Sequence, residues 1–202
     1  MSRFAYYLTH PQVNVDANVD VPKWGLSEIG KSRVMALIAS GSAKSSLRNI
    51  KHIISSGETK AIETAKPIAD FIGCGFETVE NMHENDRSAT GFLPPDEFEI
   101  VADQFFANPD ENIRGWESAN DAQSRILTEV ENCLLEYLEG DIMFVGHGGV
   151  GTLLYCALSG NAINRKFDQG PQNGGVGGGN FFSFDPKTRK ALHHWRAMEK
   201  FN

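Results

Sequence analysis

The sequence predicts an α/β domain, a three-layer sandwich with a mainly parallel sheet, helices on both faces and an antiparallel edge near the C-terminus. Three observations predict it. Short apolar runs alternate with amphipathic stretches of helical period along the 202 residues, as strand-helix-strand units require. Neither a repeat nor a linker divides the chain, so 1–202 reads as one domain. Polar residues directly follow three of the apolar runs, where the carboxyl ends of parallel strands form a ligand crevice.

Phe4 to Leu8 is short, apolar and aromatic, as a buried strand is, and Pro11 ends it. Ser27 and Glu28 open a helix with Val34, Leu37 and Ile38 on one face, closing near Gly41. His52 to Ser55 is the next strand. A helix from about Glu58 to Ile72 places Ala61, Ala65, Ile68, Ala69 and Ile72 on one stripe, with Gly73 as its stop; Pro67 inside it leaves room for a kink or an early end. Phe76 to Val79 forms a third strand. The polar stretch 81–90 and the loop 91–95 lead to a short helix from Asp96, carrying Phe98, Val101, Ala102 and Phe105 and ending before Pro109; together 81–109 reads as a cap inserted into the domain. Ser118 or Asn120 starts a longer helix with Ile126, Val130, Cys133, Leu134 and Tyr137 inward. The strand Ile142 to Val145 and a helix from about Val150 to Leu158 follow. Beyond a glycine-dense stretch, Phe181 to Phe184 and Leu192 to Trp195 read as a hairpin around Asp185 and Pro186.

Composition narrows the function. With 26 acidic and 19 basic side chains the formal net charge is −7, which argues against a nucleic-acid or anionic-membrane partner and leaves room for a small anion pocket. At 41% hydrophobic and 22% charged, the chain needs neither disorder nor a disulfide framework to account for it. Cys74, Cys133 and Cys156 are odd in number and widely spaced, as expected of reduced packing thiols. The apolar opening is too short for a signal peptide, and glycines break the apolar tract 142–158, so a soluble, cytoplasmic protein is expected.

His52, His83, His193 and His194 read as structural. His10 and His147 differ, because each directly follows a predicted strand and both are expected to face one crevice, together with Ser55 to Lys60. His147 also sits in the run Gly146, His147, Gly148, Gly149, which lets backbone approach a ligand closely. The run 174–179 lacks the Gly-Lys-Ser/Thr ending of a phosphate loop and the strand-turn-helix setting of a dinucleotide site, so it reads as a crevice wall. No short His-x-x-x-His spacing supports a metal site, although His10, His147 and Glu84 could supply three ligands; no metal or cofactor is expected.

Four landmarks resemble the histidine phosphatase superfamily, also called the phosphoglycerate-mutase-like family. Leu8, Thr9, His10 stands where that family has Arg-His-Gly, followed by Trp24 to Gly30 near its Leu-Thr-x-x-Gly helix start. Ser55 to Ala65 is similar to Ser-Ser-x-x-x-Arg-Ala-x-x-Thr-Ala. Glu117 and Ser118, with Asp121 and Arg125 beyond, form the third landmark, and Val145 to Gly149 the fourth. The resemblance implies phosphoryl transfer through a phosphohistidine, with His10 as nucleophile, His147 as donor to the phosphoryl oxygens, and an acid that protonates the leaving oxygen and then activates water. Glu84 matches that acid best, with Asp86, Glu97 and Glu99 as competitors. Thr9, Lys60, Arg87 and Gly148 fall to substrate binding.

The departures from the family pattern weaken the anion pocket, Pro11 by removing a backbone donor, Lys60 by keeping the charge without the guanidinium fork, and the rest by lowering its positive charge. Thr9 replaces an arginine, Pro11 a glycine, Lys60 a second arginine; Asp16 stands near a usual asparagine and Thr152 where arginine is common. Arg87 and Lys23 are the nearest residues that could restore charge. The implied activity is a phosphatase acting on a small phosphorylated molecule or a phosphoprotein, and a mutase is disfavoured. The alternative is a phospho-ligand-binding module that kept the fold with weak or no turnover.

Overall fold

The computed structural model describes residues 3–202; Met1 and Ser2, the start of the predicted domain, lie outside the described residues. Seven strands form one sheet: β1 (Ala5–Thr9), β2 (Ile50–Ser56), β3 (Phe76–Val79), β4 (Asp141–Gly146), β5 (Asn180–Asp185), β6 (Lys190–Ala191) and β7 (Arg196–Ala197). Their order is β3-β2-β4-β1-β5-β6, with β7 also on β5. The first four in that order run parallel, and β5 to β7 make an antiparallel edge. This is the expected α/β architecture.

The helices are α1 (Glu28–Ala39), α2 (Gly41–Leu47), α3 (Thr59–Ile72), α4 (Pro95–Ala107), α5 (Ala119–Glu136) and α6 (Gly148–Leu158). Strand side chains alternate between two layers. Tyr7, Phe144, Phe182 and Phe184 pack with α4, α5 and α6, while Leu8, Met143, Val145 and Phe181 pack with α1, α2 and α3. The period of two along each strand, with apolar residues on both faces, is what a sheet covered on both sides requires.

Ser27 and Ser118 cap α1 and α5, accepting from Gly30 N and Asp121 N. Helix α3 runs through Pro67 to Ile72 and is ended by the left-handed Gly73 (φ 75°), as the sequence predicts. Two expectations need correction. A separate helix α2 follows Ser40, where the chain was expected to leave helix. Leu192 to Trp195 is not a strand: β5 turns through Arg189 (φ 55°) to pair with Lys190–Ala191 and then with Arg196–Ala197. Trp195 instead buries its ring against Tyr7 and Phe182. Among the described residues no helix is long and apolar enough to cross a membrane.

Candidate active site

Because β1, β2 and β4 are parallel, the residues that follow them emerge on one edge of the sheet. His10 N donates to Gly146 O at 2.9 Å, tying the first crossover to the fourth. The His10 and His147 rings meet edge to face, 5.3 Å between centroids. His10 Nδ1 lies 2.9 Å from Pro11 O. A carbonyl only accepts, so Nδ1 carries the proton and Nε2 keeps the lone pair.

His147 is the N-cap of α6 and is fully buried. Its backbone is gripped by Tyr7, whose hydroxyl accepts from His147 N (3.1 Å) and donates to His147 O (3.2 Å). A Cβ on Gly146 would stand 2.4 Å from that hydroxyl, and one on Gly151 2.5 Å from the Tyr7 ring. These glycines therefore make room for Tyr7 rather than for a ligand. His147 Nε2 lies 2.8 Å from Ser56 Oγ and 3.4 Å from Glu58 Oε1, and its Nδ1 is buried without a hydrogen-bond partner among the described residues. Burial, reinforced by His147, pushes His10 down to about 3. Burial also lowers His147, against the opposing pull of Glu58 and Glu84. Both imidazoles are neutral at neutral pH.

Glu84 closes the N-terminus of α6: its carboxylate accepts from Gly149 N (3.1 Å) and Val150 N (2.9 Å). Burial would raise its pKa, but His147, Arg87 and those two N–H groups outweigh burial and hold it below the usual range. Glu58, which the sequence marks only as part of the run from Ser55 to Lys60, bridges the histidine and the lysine. It pairs with Lys60 Nζ, accepts from Glu84 N at 2.9 Å, and is held at about 2 by His147 and Lys60 despite burial. Lys60 donates its remaining contact to Val21 O at 2.9 Å.

The guanidinium carbon of Arg87 sits 4.9 Å from the Phe98 ring centroid and 5.9 Å from that of Trp116, and among the described residues it makes no hydrogen bond or ion pair. Arg87 lines a cavity of about 920 Å³ with Glu84, Glu58, Asn85 and the 17–22 loop. Asn85 Nδ2 is buried there without a partner.

His10, His147 and Glu84 thus converge, with Lys60 joined through Glu58 and Arg87 on the adjoining wall. Of the other acids, Glu97 pairs with Arg114 (3.2 Å) and Glu99 with Arg165 (2.5 Å), while Asp86 lines the same cavity with its Oδ1 accepting from Ser88 N (2.8 Å). Lys23 is bound to Asp20 on the surface. Thr9 is buried and its hydroxyl is engaged by Gln169 Oε1 (2.8 Å) and the backbone of Asn180, so it has no free group for a substrate. Gly148 lies under the Gln169 amide. Asp168, unread in the sequence, accepts from Thr152 Oγ1 at 2.8 Å and is pushed by burial up to about 6. Among the described residues no group of three or more His, Cys, Asp or Glu side chains is placed to hold a metal ion.

Residues 12–187 match the histidine phosphatase superfamily (branch 1), the match starting two positions beyond His10. No curated protein matches the sequence. Solved structures share the fold. A mycobacterial glucosyl-3-phosphoglycerate phosphatase is 19% identical with a TM-score of 0.74, over 97% of this chain and 99% of that one. Bacillus stearothermophilus YhfR is 18% identical with a TM-score of 0.71, over 90% of each chain. An Entamoeba histolytica phosphoserine phosphatase, in complex with 3-phosphoglyceric acid, is 15% identical with a TM-score of 0.72, over 98% of each.

Proposed function

Because this chain belongs to the histidine phosphatase superfamily, we propose that it hydrolyses phosphoric monoesters through a phosphohistidine formed on His10. The observation that carries the reading is the pair of neutral imidazoles 5.3 Å apart on one sheet edge, one with its lone pair fixed on Nε2 by Pro11 O. In the first step Nε2 forms a bond to phosphorus as the bond from phosphorus to the ester oxygen breaks, and that oxygen takes a proton. In the second step water attacks phosphorus as the bond from phosphorus to Nε2 breaks, giving its proton to the acid–base residue that protonated the ester oxygen, so that phosphate leaves and His10 is returned.

His147 supplies its orphaned Nδ1 to the phosphoryl oxygens when Ser56, accepting from Glu58 N at 3.3 Å, donates to Nε2. Glu84 is the acid–base residue: its depressed pKa suits the water-activating step, and the negative charge of a bound phosphoryl group shifts it toward the protonated form needed first. The 920 Å³ cavity fits the leaving group of a small phosphorylated molecule. Segment 81–109 acts as the cap that selects it, with Arg87 as the available cation. The ion pair that occupies Lys60 supports a second reading, a phospho-ligand-binding module with little turnover.

Aryl phosphates of graded leaving-group basicity test the assignment. His10→Ala should abolish turnover, and Glu84→Gln should slow poor leaving groups most. If Asp168→Asn steepens that dependence and Glu84→Gln does not, the acid is Asp168. Activity should persist in excess chelator, since the nucleophile and donors are protein groups; loss reversed by a divalent ion would point to metal-activated water. Phosphate binding without turnover would select the binding module.

A further inference from the structure

We infer that Gln169 is a phosphoryl-binding residue, a neutral donor that fills the role left empty where Thr9 stands in place of the family arginine; this rests on the phosphatase reading above. The orientation of its amide is determined by its neighbours. Asn180 Nδ2 reaches the carbonyls of Gly175 (2.9 Å) and Gly178 (3.3 Å), which only accept, so that atom is a donor. Its third contact, at 2.9 Å, is consequently the oxygen of Gln169, and the Thr9 hydroxyl reaches the same oxygen at 2.8 Å. With Oε1 held by two donors, Nε2 is directed away from them and lies 2.5 Å from the position a Cβ on Gly148 would take. Only glycine at 148 admits it.

Gln169 therefore spans the residue before His10 and the residue after His147. Its Nε2 has no acceptor among the described residues and Gln169 is half-buried, while His147 Nδ1 is buried and unpartnered. Two unsatisfied polar nitrogens flanking one helix N-terminus beside the His10 turn are what an oxyanion would satisfy. The Thr9 hydroxyl, already engaged by Gln169 Oε1 and the Asn180 backbone, serves by holding that amide.

The test compares wild type with Gln169→Ala and Gln169→Glu, reading turnover of para-nitrophenyl phosphate, inhibition by vanadate, and thermal melting. Glutamate keeps an oxygen for Thr9 and Asn180 but removes the donor, and it serves where alanine leaves the loop too open to fold. Loss of one transition-state donor should lower kcat by about 10²-fold and weaken vanadate inhibition alongside it. Folded variants that keep both within twofold of an active wild type overturn the inference and leave the phosphatase reading standing. A wild type without turnover whose vanadate binding still weakens on substitution overturns the phosphatase reading and supports Gln169 as the oxyanion donor. A wild type that neither turns over nor binds vanadate overturns both.

Discussion

Lys60 and Arg87 carry the same formal charge into the same crevice, yet they do different work. Lys60, 3% exposed, is enclosed between Glu58 and Val21 O, so two of its three donors and its charge are already engaged. The guanidinium carbon of Arg87 lies 4.9 Å from the Phe98 ring centroid and 5.9 Å from that of Trp116, and its N–H groups have no hydrogen-bond partner among the described residues. Counting cations along the sequence therefore overstates the anion affinity of one wall and understates that of the other. The lysine builds the floor that holds Glu58 against His147, and the arginine is the charge a substrate can meet.

Lys60→Met should separate these roles with the largest effect. It strands the Glu58 carboxylate in the interior and should cost about 3–5 kcal/mol of stability, most of it recovered by adding Glu58→Gln. A melting temperature unchanged by Lys60→Met, with oxyanion binding lost, would make the lysine a ligand instead. Arg87→Ala should do the reverse, leaving the melting temperature within a few degrees and weakening substrate and vanadate binding about 10- to 100-fold, the range of one charge-assisted hydrogen bond. Arg87→Lys should restore little, because the ammonium lacks the planar fork.

The smallest effect concerns pH. The nucleophile is the neutral imidazole, and burial moves His10 down to about 3, so kcat/KM should show no His10 limb near the ordinary histidine value of about 6.5. An acid limb at 6.5 that disappears in variants of His10 would contradict this placement. Stability should respond in the same window. Between the folded and unfolded pKa the unfolded chain binds more protons, so the contribution of His10 is present above about 6.5 and declines as pH falls toward 3, and His147, also lowered by burial, acts in the same direction. Glu58, also depressed, adds its own loss below the ordinary carboxylate range.

Much of this is legible in the sequence. The apolar stripes of α1, α3 and α5 and the runs of β1, β2 and β4 carry their own periodicity, and parallel strands put His10, Ser56 and His147 on one edge as a consequence of topology. Less is legible where the signal is short or non-local. Helix α2 offers only Ala43 and Leu47 as buried apolar positions, too few for a period. Strands β6 and β7 are two residues each and are set by what β5 leaves unpaired. Pro67 leaves an early end open in the sequence, and α3 runs through it.

In the site, the contacts that decide function join distant segments. Gln169 and Asp168 sit in an unremarkable loop, and nothing local marks them as neighbours of Thr9 and Thr152. Glu58 looks like an ordinary helix-start acid until the fold places it on His147. The glycines around His147 were visible, but their reason was not, since Tyr7 arrives from β1.

The central claim is that His10 becomes phosphorylated during turnover, and trapping that species tests it most directly. Enzyme mixed with para-nitrophenyl phosphate, quenched in alkali and mapped by mass spectrometry should carry phosphate on His10, lost in acid, matched by a stoichiometric burst of phenol and absent in His10→Ala. Steady turnover with no phosphate on residue 10, or a burst that survives His10→Ala, would contradict the account.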